Sequence, residues 1–299
     1  MEDNLYQASR IKRRRRTREE MGEFWWEMRQ VIEAERPMTV RQVFYQMAAR
    51  GAVPKTENGY DLVQRDLAEM RRRGALPYYW ISDNTRWMTK PTTDNGIEAM
   101  LKRSIELYRR ALWADQSVRV EVWCEKDALS GIISDVTEEF DVPLYVARGF
   151  SSLTYIYNAA ESIRRVGKPT FIYYFGDYDP SGVLIPVRLE AELRKYAPGV
   201  PIAFNREAIN PEQIEQFQLP TRPTKKTKKN AHGALHFADE SVDLDALPAN
   251  TLRALVRECI ERHIGPDVLE RTRRIEAEER ETLRRTFGFT DGGRVYGKQ

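Results

Sequence analysis

Apolar positions in the first third of the chain recur at helical spacing. Met21, Phe24, Trp25, Met28, Val31 and Ile32 mark an amphipathic helix that ends before Pro37. Thr39 is placed to cap a second helix, which buries Val40, Val43, Phe44, Met47 and Ala48 and stops near Gly51. A third begins after Asn58 and Gly59, turns Tyr60, Val63, Leu67 and Met70 inward, and runs out in Arg71, Arg72, Arg73 and Gly74. The run from Tyr78 to Ile81, bounded by Asp83 and Asn84, reads as a strand. Three short helices and a strand predict an N-terminal winged helix-turn-helix domain over residues 19–92. A further amphipathic helix over 95–112, with Ile97, Met100, Leu101, Ile105, Leu107 and Leu112 on its apolar side, forms a connector spanning 93–115.

The pattern then changes. Val118, Val120 and Val122 alternate with Arg119 and Glu121, and apolar runs follow at Val142–Ala147, Phe171–Phe175 and Val200–Phe204, with helical stretches between them. This alternation predicts an α/β fold with a Rossmann-like parallel sheet over 116–287, completed by C-terminal helices at Thr251–Ile264 and from Asp267 to about Arg285. Residues 288–299 form a tail. In such sheets ligands bind at the carboxyl ends of the strands.

With 41% hydrophobic residues the chain can build real cores, and a net charge of +3 means that affinity for nucleic acid must come from local patches. One such patch is the arm over 1–18, with Arg13, Arg14, Arg15 and Arg16; another is the segment carrying Lys225, Lys226, Lys228 and Lys229. Arg65 and Arg72 on the third helix fit a recognition helix, although Asp61, Asp66 and Glu69 alternate with such charges and equally describe a solvated face. Trp80 and Trp87 are expected to pack rather than to stack on bases. No segment has the apolar length of a membrane span and the polar start lacks the core of a signal peptide, so a cytoplasmic, nucleoid-associated location is expected. Cys124 and Cys259 form no disulfide framework or zinc spacing, and there is no P-loop and no H-E-x-x-H.

The chemistry-bearing residues are acidic. Glu125 directly follows the first strand, and Asp177 and Asp179 directly follow the third, so in a parallel sheet all three meet at one edge. Carboxylates so grouped suit magnesium, with manganese as a substitute, because this hard ion takes oxygen ligands and keeps waters for bridging to phosphate. Gly176, Gly182 and Pro180 fit a tight chain path around the aspartates. Acidic residues at strand ends also serve simply as helix caps.

Val122–Ala128, reading V-W-C-E-K-D-A, and Gly176–Gly182, reading G-D-Y-D-P-S-G, resemble the Toprim domain of topoisomerases and related nucleases. The D-x-D-P-x-G form resembles in particular the A subunit of archaeal topoisomerase VI and its relatives, including the protein that makes meiotic double-strand breaks. The length resembles the reduced mini-A and mobile-element forms, and Ser151 departs from the proline usual in a family turn. The family carries a tyrosine on a helix reading R-x-x-Y-Y; here Arg41–Tyr45 reads R-Q-V-F-Y, which matches Tyr45 to the second tyrosine. Helical geometry also turns Tyr45 away from the apolar stripe, toward the side of Arg41. The resemblance implies attack by Tyr45 on double-stranded DNA to leave a phosphotyrosine link. Arg41 would supply charge, Glu125 would take part in catalysis, and the metal would come from the other subunit of a homodimer. Hydrolysis by activated water, with Tyr45 only touching phosphate, and a non-catalytic DNA-binding role stay open beside it. Strand passage would require a separate ATPase subunit, and Asp243 and Asp245 resemble a family acidic segment whose role is open.

Overall fold

The computed structural model describes residues 16–82, 90–149, 151–223 and 240–289. Its first unit consists of α1 (Arg18–Glu35), α2 (Val40–Ala49) and α3 (Glu57–Arg72). Thr17 and Thr39 close capping boxes with Glu20 and Gln42, which satisfies the first free N–H groups of α1 and α2. The inward faces match the expected stripes: Phe24, Met28, Val31 and Ile32 on α1, and Val63, Leu67 and Met70 on α3, are buried.

The expected strand at Tyr78–Ile81 is instead a 3₁₀ turn, Tyr78–Trp80, with a single parallel bridge between Met38 and Ile81. Tyr78 and Tyr79 are both exposed, so the aromatic run has no strand alternation. Trp80 alone turns inward, packed beneath the guanidinium groups of Arg29 and Arg36 at 5.3 and 4.5 Å, in keeping with a packing role. Residues 16–82 thus hold three α-helices and no paired wing; Trp87 lies outside the described residues.

The connector is the shorter α4 (Ile97–Leu107), with Leu112 buried beyond its end. Only Ile105 of the helix is fully buried, while Ile97, Met100 and Leu107 are exposed, so most of its apolar side is not covered. The sheet follows: β1 (Arg119–Cys124), α5 (Ser130–Glu139), β2 (Leu144–Val146), α6 (Leu153–Val166), β3 (Thr170–Phe175), α7 (Pro180–Tyr196) and β4 (Ile202–Ala208). All four strands are parallel, in the order β2-β1-β3-β4. The chain leaves β1 to one side for β2 and returns across it to β3, so the crevice between β1 and β3 is the topological switch point.

Side chains alternate across the sheet. Val120, Val122, Tyr173 and Phe175 join a core with α5 and the later helix, whereas Trp123, Ile172 and Tyr174 pack with α6 and α7. Each fully buried side chain of this size contributes about 1.5–3 kcal/mol by leaving water. The first core is continuous with that of the N-terminal helices, reaching from Met28 and Leu67 to Ile133 and Val256.

The remainder comprises α8 (Pro211–Gln216), a short antiparallel pair β5 (Arg222–Pro223) and β6 (Glu240–Ser241), a 3₁₀ turn at Leu244–Ala246, α9 (Ala249–Glu261) and α10 (Pro266–Thr286). The Leu244–Ala246 turn rests on α2, where Gln42 donates to the Leu247 carbonyl and Thr39 to Asp245. Among the described residues no helix is long and apolar enough to cross a membrane.

Candidate functional site

The three carboxylates predicted to meet at one sheet edge do lie together at the switch point. Glu125 extends from β1, and Asp177 and Asp179 from β3, each oriented by the backbone of this edge. Glu125 Oε2 accepts the Asp177 N–H at 3.1 Å and the Tyr174 hydroxyl at 3.3 Å. Asp177 Oδ1 accepts the Leu244 N–H at 2.7 Å. Asp179 Oδ1 caps α7 by accepting the Gly182 N–H at 2.7 Å, the helix-cap role open to a strand-end acid. In each case these bonds fall on one oxygen, and the other has capacity to spare.

Glycine is needed where the loop passes these groups. A Cβ on Gly176 would stand 2.6 Å from Glu125 Oε2, and one on Gly182 would stand 2.2 Å from the Asp177 carbonyl oxygen. The Arg206 guanidinium, on β4, ties the loop down by donating to the carbonyls of Asp177 at 2.7 Å and Gly182 at 2.8 Å. Nothing in the local sequence signals this residue, because its partners lie in a different loop.

A second group of acids lies alongside. Lys126 bridges Asp245 at 2.8 Å, Asp177 at 2.9 Å and Asp243 at 3.6 Å. Burial opposes its charge, but Asp245, Asp177 and Asp243 outweigh this and raise its pKa. Asp243 also meets Arg222 at 2.8 Å and Arg41 at 3.4 Å. Despite its burial, Asp243 is held below the ordinary carboxylate range, chiefly by Lys126. Asp243 and Asp245 are therefore buried, paired acids, and Lys126, adjacent to Glu125 in the E-K-D motif, is the residue whose role the motif alone did not reveal.

Tyr45 is not exposed as helical geometry suggested. It is only 6% accessible, and its hydroxyl donates to Asp243 Oδ2. The side of α2 that it shares with Arg41 is covered by the Leu244–Ala246 turn, some two hundred residues later, which no local pattern can show. Burial and then the Asp243 carboxylate push the phenol pKa above its ordinary value. Tyr45 thereby joins, through Asp243 and Lys126, the Asp177 carboxylate of its own chain.

Glu125 is the unbalanced member. Its pKa is pushed up to about 7, first by burial and then by the charges of Asp177 and Asp179, which outweigh Lys126. Among the described residues no three acidic, histidine or cysteine side chains stand in metal-holding geometry. The donor set nevertheless fits a hard divalent cation, because three carboxylates each keep an oxygen without a hydrogen bond among the described residues, and Glu125 makes no ion pair there although Lys126 and Arg206 lie near it.

The basic residues divide. Arg65 and Arg72 extend from α3 with side chains 70% and 73% exposed, near Asp66 and Glu69. Arg16 does not belong to a free arm: it pairs with Asp66 at 2.7 Å and lies over the Phe24 ring at 4.6 Å, just before Thr17 caps α1. Arg13, Arg14, Arg15, Lys225, Lys226, Lys228 and Lys229 lie outside the described residues. No protein-family model matches the chain, and no curated protein matches it.

Proposed function

We propose that the chain is a metal-dependent DNA-cleaving enzyme in which Glu125, Asp177 and Asp179 hold magnesium or manganese and Tyr45 is the nucleophile. The observation that carries this reading is the under-neutralised Glu125, at the switch point of a parallel sheet beside two further carboxylates with oxygens to spare. The metal, when bound, neutralises charge on the phosphate. Arg41 and Arg222, both partly exposed, adjoin the Tyr45–Asp243 pair and support this reading as the cations an approaching phosphate would meet. Attack forms a bond from Tyr45 Oη to phosphorus and breaks the bond from phosphorus to one sugar oxygen. The phenolic proton passes to Asp243, already its hydrogen-bond partner, and the leaving oxygen takes a proton from water. On this reading the chain works on double-stranded DNA as a homodimer, one copy per strand, and strand passage depends on a separate ATPase subunit.

A second reading, hydrolysis by activated water, is favoured by the burial and raised pKa of Tyr45, which disfavour a phenolate. Cleavage of supercoiled plasmid with magnesium, followed by denaturing detection of protein on DNA ends, separates the two. The tyrosine reading expects a covalent adduct in wild type and loss of cleavage in both Tyr45→Phe and Asp177→Ala. Cleavage lost in Asp177→Ala alone establishes hydrolysis, and no cleavage by wild type overturns the enzyme reading.

A further inference from the structure

Between α3, the start of α2 and the segment after β1 lies a cleft of about 570 Å³ that opens beside Lys126. That volume falls within the roughly 300–1,000 Å³ of small-ligand sites and is far too small for a duplex. One wall is formed by Tyr60, with the Arg41 guanidinium over its ring at 5.4 Å from the centroid and Phe44 in T-shaped contact at 5.6 Å, so that the aromatic ring and the planar guanidinium together offer the stacking surface. Ala68 leaves room on α3, between Gln64 and Arg71.

The groups lining it are selective. The Gln64 side chain is exposed, and its amide makes no hydrogen bond among the described residues. Arg71 uses Nε on the Leu67 carbonyl at 3.3 Å and lies over the Tyr78 ring at 5.8 Å, while its terminal nitrogens make no hydrogen bond among the described residues. The two acids of the lining are already engaged: Asp245 by Thr39 at 3.1 Å and Lys126 at 2.8 Å, Asp127 by Arg148 at 3.2 Å. What remains is the Tyr60 wall, the Gln64 amide with both a donor and an acceptor, the Ser82 hydroxyl and the terminal nitrogens of Arg71, because Arg41 and Lys126 are already paired with Asp243, Asp245 and Asp177. A neutral aromatic heterocycle carrying a phosphate matches that set, and a nucleic-acid base is such a group.

We propose that this cleft receives a single unpaired DNA base beside the phosphate to be cut, with Gln64 hydrogen-bonding its edge. The inference rests on the DNA-cleaving reading for its choice of ligand. Extruding a paired base costs a few kcal/mol of stacking and pairing, so DNA that presents a base already unpaired should bind more tightly.

The test uses wild-type protein without magnesium and two duplexes of the same sequence, one fully paired and one carrying a single bulged 2-aminopurine. The bulged duplex is expected to bind at least about tenfold tighter, with a change in 2-aminopurine emission on binding. Gln64→Ala, at an exposed side chain, and Ala68→Trp, which fills the cleft, should each remove most of that preference while keeping affinity for paired DNA. Equal affinity of wild type for the two duplexes, or a preference that survives both substitutions, overturns the proposal. With magnesium-dependent cleavage intact that result removes the cleft alone, whereas no affinity for either duplex removes the DNA-cleaving reading with it.

Discussion

Two groups of carboxylates lie side by side at the end of the sheet, Asp243 and Asp245 buried, Glu125 and Asp179 half-buried beside the buried Asp177, and they are neutralised differently. Asp243 and Asp245 are surrounded by Lys126, and Asp243 also by Arg41 and Arg222, so Asp243 stays ionised below its ordinary range. At Glu125 burial first, then the charges of Asp177 and Asp179, outweigh Lys126 and push the pKa up to about 7. A protein that needed these acids only for packing would neutralise both groups. The first group ties the N-terminal helices to the segment after β6 through Thr39–Asp245 and Tyr45–Asp243; in the second, Lys126 pairs with Asp177 alone and Glu125 has no ion pair among the described residues, so that protonation or an added cation relieves its charge.

The largest expected effect sharpens the first half of this comparison. Lys126→Met removes the cation that three buried carboxylates share, and breaking buried ion pairs from one side costs about 3–5 kcal/mol. Urea unfolding should show a loss of that order; a loss below about 1 kcal/mol would show that the acids are not held by this ammonium. Glu125→Gln should behave in the opposite sense. Removing an under-neutralised, half-buried charge is expected to raise metal-free stability at pH 8 by about 1–3 kcal/mol, while abolishing magnesium-dependent cleavage.

The pH dependence follows the same asymmetry. Because burial and its acidic neighbours raise the folded pKa of Glu125 above its ordinary value, its protonated form is favoured in the folded state. Stability is fully present below pH 4.5 and is lost as pH rises through about 7. Asp177, also raised by burial, acts in the same direction. The melting temperature of the metal-free protein should therefore fall between pH 5.5 and pH 8. Magnesium should restore most of that loss at pH 8, and the fall should shrink in Glu125→Gln. The smallest effect is expected at Arg72→Ala, an exposed side chain at the end of α3: stability within about 0.5 kcal/mol of wild type, with weaker DNA binding and a shallower dependence on salt.

Much of the sheet was legible in the sequence because its information is local. The alternation at Val118–Val122 and the run at Phe171–Phe175 give strands by period and length, and Glu125, Asp177 and Asp179 follow from their place at strand ends. The N-terminal helices were readable for the same reason, through Thr39 as a cap and the stripes that end at Ile32 and Met70. Other features depend on long-range contacts. Tyr45 is buried by a turn at Leu244–Ala246, the role of Lys126 depends on Asp243 and Asp245 far along the chain, and Arg206 holds a loop that begins thirty residues earlier. The Tyr78–Trp80 turn misled because aromatic residues favour strands on average, whereas here Trp80 is recruited inward by Arg29 and Arg36 and its neighbours are left in solvent.

The excess charge at Glu125 is tested most directly by titrating the magnesium-free protein at pH 8 with manganese, with paramagnetic resonance of the free ion as the readout. The account predicts saturable binding by wild type that weakens at least about tenfold in Glu125→Gln, while Asp245→Asn leaves it far less affected. No saturable binding by folded wild type, or equal binding by Glu125→Gln, would contradict it.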